Sequence, residues 1–255
     1  MGQHRFFVDA GSVRGQLAEL TGAVAHQVSR VLRLHPGDIV ELLDNSGFVY
    51  PSRIVRVSAN VVHAEVLGRH QPATEPPVAL ELHQALLKGQ KMELVLQKGT
   101  ELGVNRFFPV LSERCVTRPS RADLEGRMVR WQAIVREAAE QSGRVLLPAI
   151  APLESFGEAC RTASTADLAV MAWEEERAVG IGRLVREAGL TAADTHRPRV
   201  ALLVGPEGGF SEREVAFARS VGVRIASLGP RILRAETAAL VAPTIVLYEM
   251  GGLGG

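Results

Sequence analysis

Two glycine-bearing strings near the C-terminus hold the residue types best suited to grip a small ligand and act on it. The first is Gly205-Pro206-Glu207-Gly208-Gly209, followed at once by Phe210-Ser211-Glu212-Arg213-Glu214-Val215. The apolar residues Leu202, Leu203 and Val204 before it read as a strand. Ser211 and Glu214 form a capping box, so a helix starts directly behind the turn. Glycine at the end of a strand lets the backbone approach a ligand closely, and open α/β sheets bind ligands at that edge. The second string is Leu228-Gly229-Pro230-Arg231-Ile232-Leu233-Arg234-Ala235-Glu236-Thr237, between a strand at 223–228 and a helix running toward Tyr248. The two strands read as adjacent, so both turns could line one pocket. Ile232 and Leu233 would then be its apolar walls, and free backbone groups could read an adenine edge. The spacing matches neither G-x-G-x-x-G nor the Gly-Lys-Ser/Thr of a P-loop. The plain alternatives are a tight turn that needs glycine only for its dihedrals, and arginines that are solvated charges.

The elements that must position these turns follow from hydrophobic rhythm. Short alternating runs at 5–8, 38–43, 48–50, 53–57 and 61–67, with a turn at Asp44-Asn45-Ser46-Gly47 and a helix over 22–31, predict a small β-barrel. Gln71 to Pro77 is a proline-stiffened linker. Beyond it a strand at 78–87 precedes Met92, Val95, Leu96 and Leu102 at helical spacing, with Gly103 as the stop. A strand follows at 106–111. Leu124, Met128, Trp131, Val135 and Ala138 step by four and three along a long helix, and strands recur at 168–172 and 200–204. Alternating strands and helices imply a mostly parallel sheet. The reading is two domains, a β-barrel at 1–72 and an α/β domain at 78–255.

The 255 residues carry a net charge of +1, so the chain as a whole is not a basic nucleic-acid binder. Cations nevertheless outnumber anions from Lys88 to Arg144, and the stretch from Glu154 to Glu187 leans acidic around Glu174-Glu175-Glu176. One basic face on a neutral protein fits local phosphate contact; a solvated helix face fits as well. Cys115 and Cys160 stand far apart, and the histidines show no zinc spacing, so neither a metal nor a dithiol is expected. No signal peptide and no long apolar run is visible, which points to the cytoplasm and away from membranes.

The strings GPEGGFSEREV at 205–215 and LGPRILRAETA at 228–238 resemble the RsmE family of SPOUT-class methyltransferases. The resemblance extends to QALLKGQKMELVLQKGTELGV at 84–104, to EAAEQSGR at 137–144 and, around His26 and Val31-Leu32-Arg33, to a PUA-like RNA-binding domain. It implies a C-terminal trefoil knot that binds S-adenosylmethionine, methylation of N3 of a uridine in 16S ribosomal RNA of the small subunit, and a homodimer. By the same resemblance Val204, Gly205, Glu207, Gly208, Gly209, Leu228, Gly229, Arg231, Ile232, Leu233 and Thr237 border the cofactor. Pro243 departs from the family's usual Ala or Leu and should kink the last helix.

Uridine N3 must lose its proton before it can attack, so a base and cations that stabilise the imide anion are needed. Glu101 and Glu236 are the candidate bases, although Glu236 could equally serve the dipole at its helix N-terminus. Arg114, Arg144, Arg231, Arg234 and Lys98 are the candidate cations. RNA contact is expected from Arg5, His26, Arg30 and Arg33 in the first domain, and from Lys88, Lys91, Lys98, Arg144 and Arg234 in the second. Three rivals remain: ribose 2′-O-methylation, C5 methylation with Cys115 as nucleophile, and a non-catalytic RNA-binding assembly factor.

Overall fold

In the strand Leu17–Thr21, Ala18 and Leu20 turn inward while their neighbours face solvent, the two-residue rhythm of a half-buried sheet. The computed structural model describes residues 4–190 and 197–253. It divides into two units, residues 1–74 with 139–147, and residues 75–138 with 148–255.

The first unit comprises β1 (His4–Phe7), β2 (Val13–Arg14), β3 (Leu17–Thr21), α1 (Gly22–His26), β4 (Ile39–Leu43), β5 (Val49–Val57) and β6 (Val61–Val66). The helix expected over 22–31 is α1 continued by a π-helical segment at Gln27–Val31. The two runs at 48–50 and 53–57 are one strand, β5, passing through Pro51. Strand order is β1-β4-β5-β6-β3-β2, with only the β1–β4 pair parallel. Among the described residues no ladder joins β1 to β2, so the sheet does not close by pairing into the expected barrel. Phe6, Leu20, Val40, Leu42, Ile54 and Val62 form its core, with Ala25 and Val28 packed in from the helical segment.

Residues 139–147 join this unit through specific contacts. The Phe7 N–H donates to Glu140 Oε1 at 3.0 Å, the Leu147 N–H donates to Asn45 Oδ1 at 2.7 Å, and Ala139 and Val145 cluster with Phe7, Leu43 and Val49. The helix runs on unbroken from the second unit to Ser142, so nothing local marks its last turn as shared.

The second unit comprises β7 (Ala79–Ala85), α2 (Lys91–Leu102), β8 (Arg106–Leu111), α3 (Arg121–Ser142, its last turn belonging to the first unit), β9 (Ala149–Ile150), β10 (Glu154–Ser155), α4 (Phe156–Ala163), β11 (Leu168–Ala172), α5 (Ile181–Glu187), β12 (Arg199–Val204), α6 (Glu212–Ser220), β13 (Arg224–Ala226) and α7 (Ala235–Glu249). All ladders are parallel, in the order β10-β8-β7-β12-β11-β13, with β9 beside β8. Val200 through Val204 are all buried, the continuous apolar run of a strand covered on both faces. Helix α7 packs against α2, α5, β7 and β12. Among the described residues no helix is long and apolar enough to cross a membrane.

Gly103 ends α2 in the left-handed region (φ 116°), its N–H donating to Gly99 O and Thr100 O. A Cβ there would lie 2.5 Å from Pro76 Cγ. Gly103→Ala is therefore expected to destabilise the protein by about 2 kcal/mol, combining dihedral strain with collision. Urea unfolding checks this, and an unchanged midpoint would contradict it. Pro243 lies inside α7, which continues across it to Glu249 rather than ending. Pro243 is buried, so apolar packing offsets the bond to Ala239 O that it cannot donate; Thr244 Oγ1 donates to the next carbonyl, Leu240 O, at 2.8 Å.

Candidate active site

Three strand ends, rather than two, build the site. Strand β11 lies between β12 and β13, so the strands bearing the glycine turns are not adjacent as expected. The residues after β11, Trp173 and Glu174, consequently enter the site. A cavity of about 380 Å³ is lined by Val204, Gly205, Pro206, Glu207, Gly209 and Phe210 from the first turn. Ser227, Leu228, Gly229, Arg231, Ile232, Leu233 and Arg234 come from the second, with Ala172, Trp173 and Glu174 between them and Lys91, Ala235 and Ala238 completing the wall. Of the expected cofactor residues, Gly208 and Thr237 stay outside this lining, and Ile232 is 81% exposed, at the rim rather than as a buried wall.

The first turn is held on three sides. Gln84, buried at the end of β7, donates Nε2 to Ala85 O at 2.9 Å, with longer contacts to Val204 O and Gly205 O. The Gly209 N–H donates to Pro206 O at 2.9 Å, with Gly209 at φ 66°. Arg114 Nη1 donates to Gly208 O at 3.0 Å. The Ser211–Glu214 capping box forms as expected, and Glu214 also accepts the Glu113 N–H at 2.8 Å while Ser211 Oγ donates to Glu113 Oε2 at 2.9 Å. Glu113 and Arg114 thus fasten the loop after β8 onto the glycine turn, and Arg114 contacts its backbone beside the cavity.

Charge inside the site centres on Lys91. Its Nζ lies 3.4 Å from Glu207 Oε1 and 3.2 Å from Glu236 Oε2. The second contact is an ion pair without hydrogen-bond alignment, since Oε2 is buried with no bonded donor among the described residues. The Lys91 pKa is raised, by Glu236 first, against opposing burial, and then by Glu207. Burial pushes the Glu207 carboxyl up, but N–H groups of its own residue and Lys88 together with the Lys91 ammonium hold it below the usual range. The Lys88 N–H reaches Glu207 Oε1 at 3.1 Å. Glu236 sits in the first turn of α7, whose N-cap is Arg234, and turns its carboxylate to Lys91 rather than capping.

Other expected site residues fall elsewhere. Glu101 is bonded to Lys98 Nζ at 2.8 Å near the far end of α2. Ten residues from Lys91, it is about 15 Å along the helix axis from the cavity wall. Arg5 is held by Glu41 at 3.3 Å and by Arg144 O, an internal strut of the first unit, and Arg144 is only 4% exposed, so neither stands open as a phosphate grip. His26, Arg30 and Arg33 are exposed, with His26 and Arg30 one helical turn apart. Cys115 is buried outside the cavity lining, its Sγ 3.2 Å from Ser112 Oγ, which removes it as a nucleophile. Burial, then Glu214, drives the Cys160 thiol up to about 12. No group of three or more potential metal ligands comes together among the described residues.

At about 380 Å³ the cavity is large enough for a small organic ligand. Leu228, Leu233 and Val204 offer apolar contact, and Trp173 adds an aromatic side chain to the lining. Neither Trp173 nor Glu174 was legible as a site residue, because a cofactor reading focused on glycine turns gives no weight to an acidic stretch after a strand.

Comparison with known proteins agrees with this arrangement. A family model described as an RNA methyltransferase domain matches residues 74–247. Ribosomal RNA small subunit methyltransferase E of Synechocystis is 36% identical over 92% of this chain and 72% of its own length. The Bacillus subtilis protein of that name is 31% identical over 90% and 89%. A crystal structure of ribosomal RNA small subunit methyltransferase E from Neisseria gonorrhoeae, bound to S-adenosyl methionine, superposes with a TM-score of 0.83 at 31% identity, covering 98% of both chains. The parallel sheet, the two glycine turns at one edge and these similarities lead to one assignment: the chain belongs to the ribosomal RNA small subunit methyltransferase E family.

Proposed function

We propose that this protein methylates N3 of a uridine in 16S ribosomal RNA of the small subunit, using S-adenosylmethionine held in the cavity at the strand ends. The single observation that carries this is the convergence of both glycine turns, with Trp173 and Glu174, on one cavity of about 380 Å³. Bound there, the cofactor supplies an already activated methyl group. Gly205, Glu207, Gly209, Leu228, Gly229, Leu233 and Trp173 would hold it, while Gly208 and Thr237 support the turns from outside. The chain's own task is then to place the base in line and to manage one proton. Glu236 is the proposed base, because it lies beside the cavity wall while Glu101 does not. Arg231 and Arg234, both exposed in the lining, would stabilise negative charge on the uracil carbonyl oxygens. Arg114 would act on the same face from its place on Gly208 O.

His26, Arg30, Arg33 and Lys88 are the proposed phosphate contacts, giving affinity that falls with salt. The target uridine would leave its stack to present the Watson–Crick edge. The support for a PUA-like role of the first unit and for a trefoil knot in the second is the family resemblance, joined for the knot by the insertion of β12 between β7 and β11. A homodimer in the cytoplasm completes the reading on the same resemblance. The test is incubation of the protein with small ribosomal subunits and methyl-labelled cofactor, followed by nucleoside separation. Labelled N3-methyluridine is expected. A 2′-O-methylated nucleoside would overturn the assignment, and unlabelled RNA with intact RNA binding would favour an assembly factor.

A further inference from the structure

Lys91 reads in the sequence as a phosphate grip, yet its ammonium lies in the wall of the cavity, within 3.4 Å of one carboxylate from each glycine-bearing string. We infer that Lys91 is a positioning residue for the methyl-donor site, acting through Glu207 and Glu236 to hold the two turns at the separation that makes them one cavity. This rests on the proposed reading of that cavity.

The two strings have no strand pairing in common, because β11 separates the strands that carry them. Among the described ion pairs, Lys91 alone joins a residue of each. It comes from a third element that is itself firmly placed. The buried Met92, Val95 and Leu96 anchor the start of α2, and α2 packs on α7, the helix that Glu236 opens. The Lys88 N–H adds a second hold on Glu207 from the same segment. Removal of the ammonium leaves two carboxylates facing one another in a partly dry wall, which pushes the turns apart rather than merely releasing them. An ammonium already shared between two carboxylates has little to offer a phosphate, so the same geometry argues against an RNA role.

The experiment compares Lys91→Met, Lys91→Arg and the double variant Lys91→Met with Glu236→Gln. Amide hydrogen exchange is followed in the free protein at 207–209 and 231–237, and S-adenosylmethionine affinity is measured by calorimetry. In Lys91→Met both turns are expected to exchange faster, and Kd for the cofactor to rise roughly fivefold, the scale of partly exposed pairs acting together. Lys91→Arg should restore most of both, and Glu236→Gln should recover part of the loss by removing the repulsion. The salt dependence of RNA binding should stay as it is. The inference is overturned by unchanged exchange in both turns, or by an unmoved cofactor Kd together with a salt slope lowered by about one phosphate contact. If the unaltered protein binds no S-adenosylmethionine, the proposed function fails, while the exchange comparison still decides whether Lys91 ties the turns.

Discussion

A Gly209→Ala variant is expected to lose S-adenosylmethionine affinity by more than tenfold while keeping its parallel sheet. Gly209 sits at φ 66°, where an L side chain costs about 1–2 kcal/mol. A Cβ there would also run into the Glu174 carboxylate. The Glu174 carboxylate ends a flexible side chain and can swing aside, whereas the dihedral strain is relieved by reopening the turn that the Gly209 N–H closes on Pro206 O, and that turn presents Glu207 to Lys91. Backbone relaxation is therefore paid in site geometry, and every group lining the first turn shifts with it. Gly222 supplies the control. It too has a positive φ, 93°, with nothing within 4 Å of an added Cβ, and it lies outside the cavity lining. Gly222→Ala should lower stability about as much through dihedral strain yet leave cofactor affinity alone. Calorimetric titration of both variants, with thermal melts alongside, checks this. Equal cofactor loss in the two, or none at Gly209, would contradict the role given to the turn.

Acidification is the second strong lever, and it acts through His83. This imidazole is 1% exposed in the middle of β7, stacked on Phe108 at 4.1 Å, with both ring nitrogens unpartnered among the described residues. Burial first, then the Arg106 and Arg199 charges, brings its pKa from 6.5 down to about 3. Between those values the unfolded chain takes up a proton that the folded chain refuses. Stability is thus fully present above about pH 6.5 and is lost as pH falls toward 3. At pH 4 the loss should be about 3 kcal/mol. His83→Phe keeps an aromatic ring on Phe108 and removes the titration, so its stability should fall by correspondingly less between pH 7 and pH 4. Urea unfolding at the two pH values measures the difference, and parallel losses in both proteins would exclude His83 as the cause.

Much of this fold was legible because local signals agreed. The capping box at Ser211 and Glu214 and the left-handed stop at Gly103 each specify a boundary locally, and the apolar steps to Ala138 specify the long helix by its buried face. The Ser155–Glu158 capping box opening α4 is the same kind of signal, with only eight helical residues behind it. Strands β9 and β10 have two residues each, too short for any periodicity to register. Strand order was the main gap. That β11 would lie between the two glycine-bearing strands is a long-range pairing, and it brought in Trp173 and Glu174 unannounced. Charge also misled where it was buried. Arg5 and Arg144 look like RNA grips in a string of letters, but the Arg5 guanidinium reaches a carboxylate and a main-chain oxygen, and Arg144 is buried. Residue type does not disclose which partner is in reach.

The pairing of Lys91 with Glu207 and Glu236 and the ties of Glu113 and Arg114 to the first turn all bear on one place, the cavity between the glycine turns. A crystal structure of the protein grown with S-adenosylmethionine addresses that place most directly. The expected result is density for the nucleoside between the turns at 205–209 and 228–233. Well-ordered turns with that space empty and the compound bound elsewhere on the protein would contradict it.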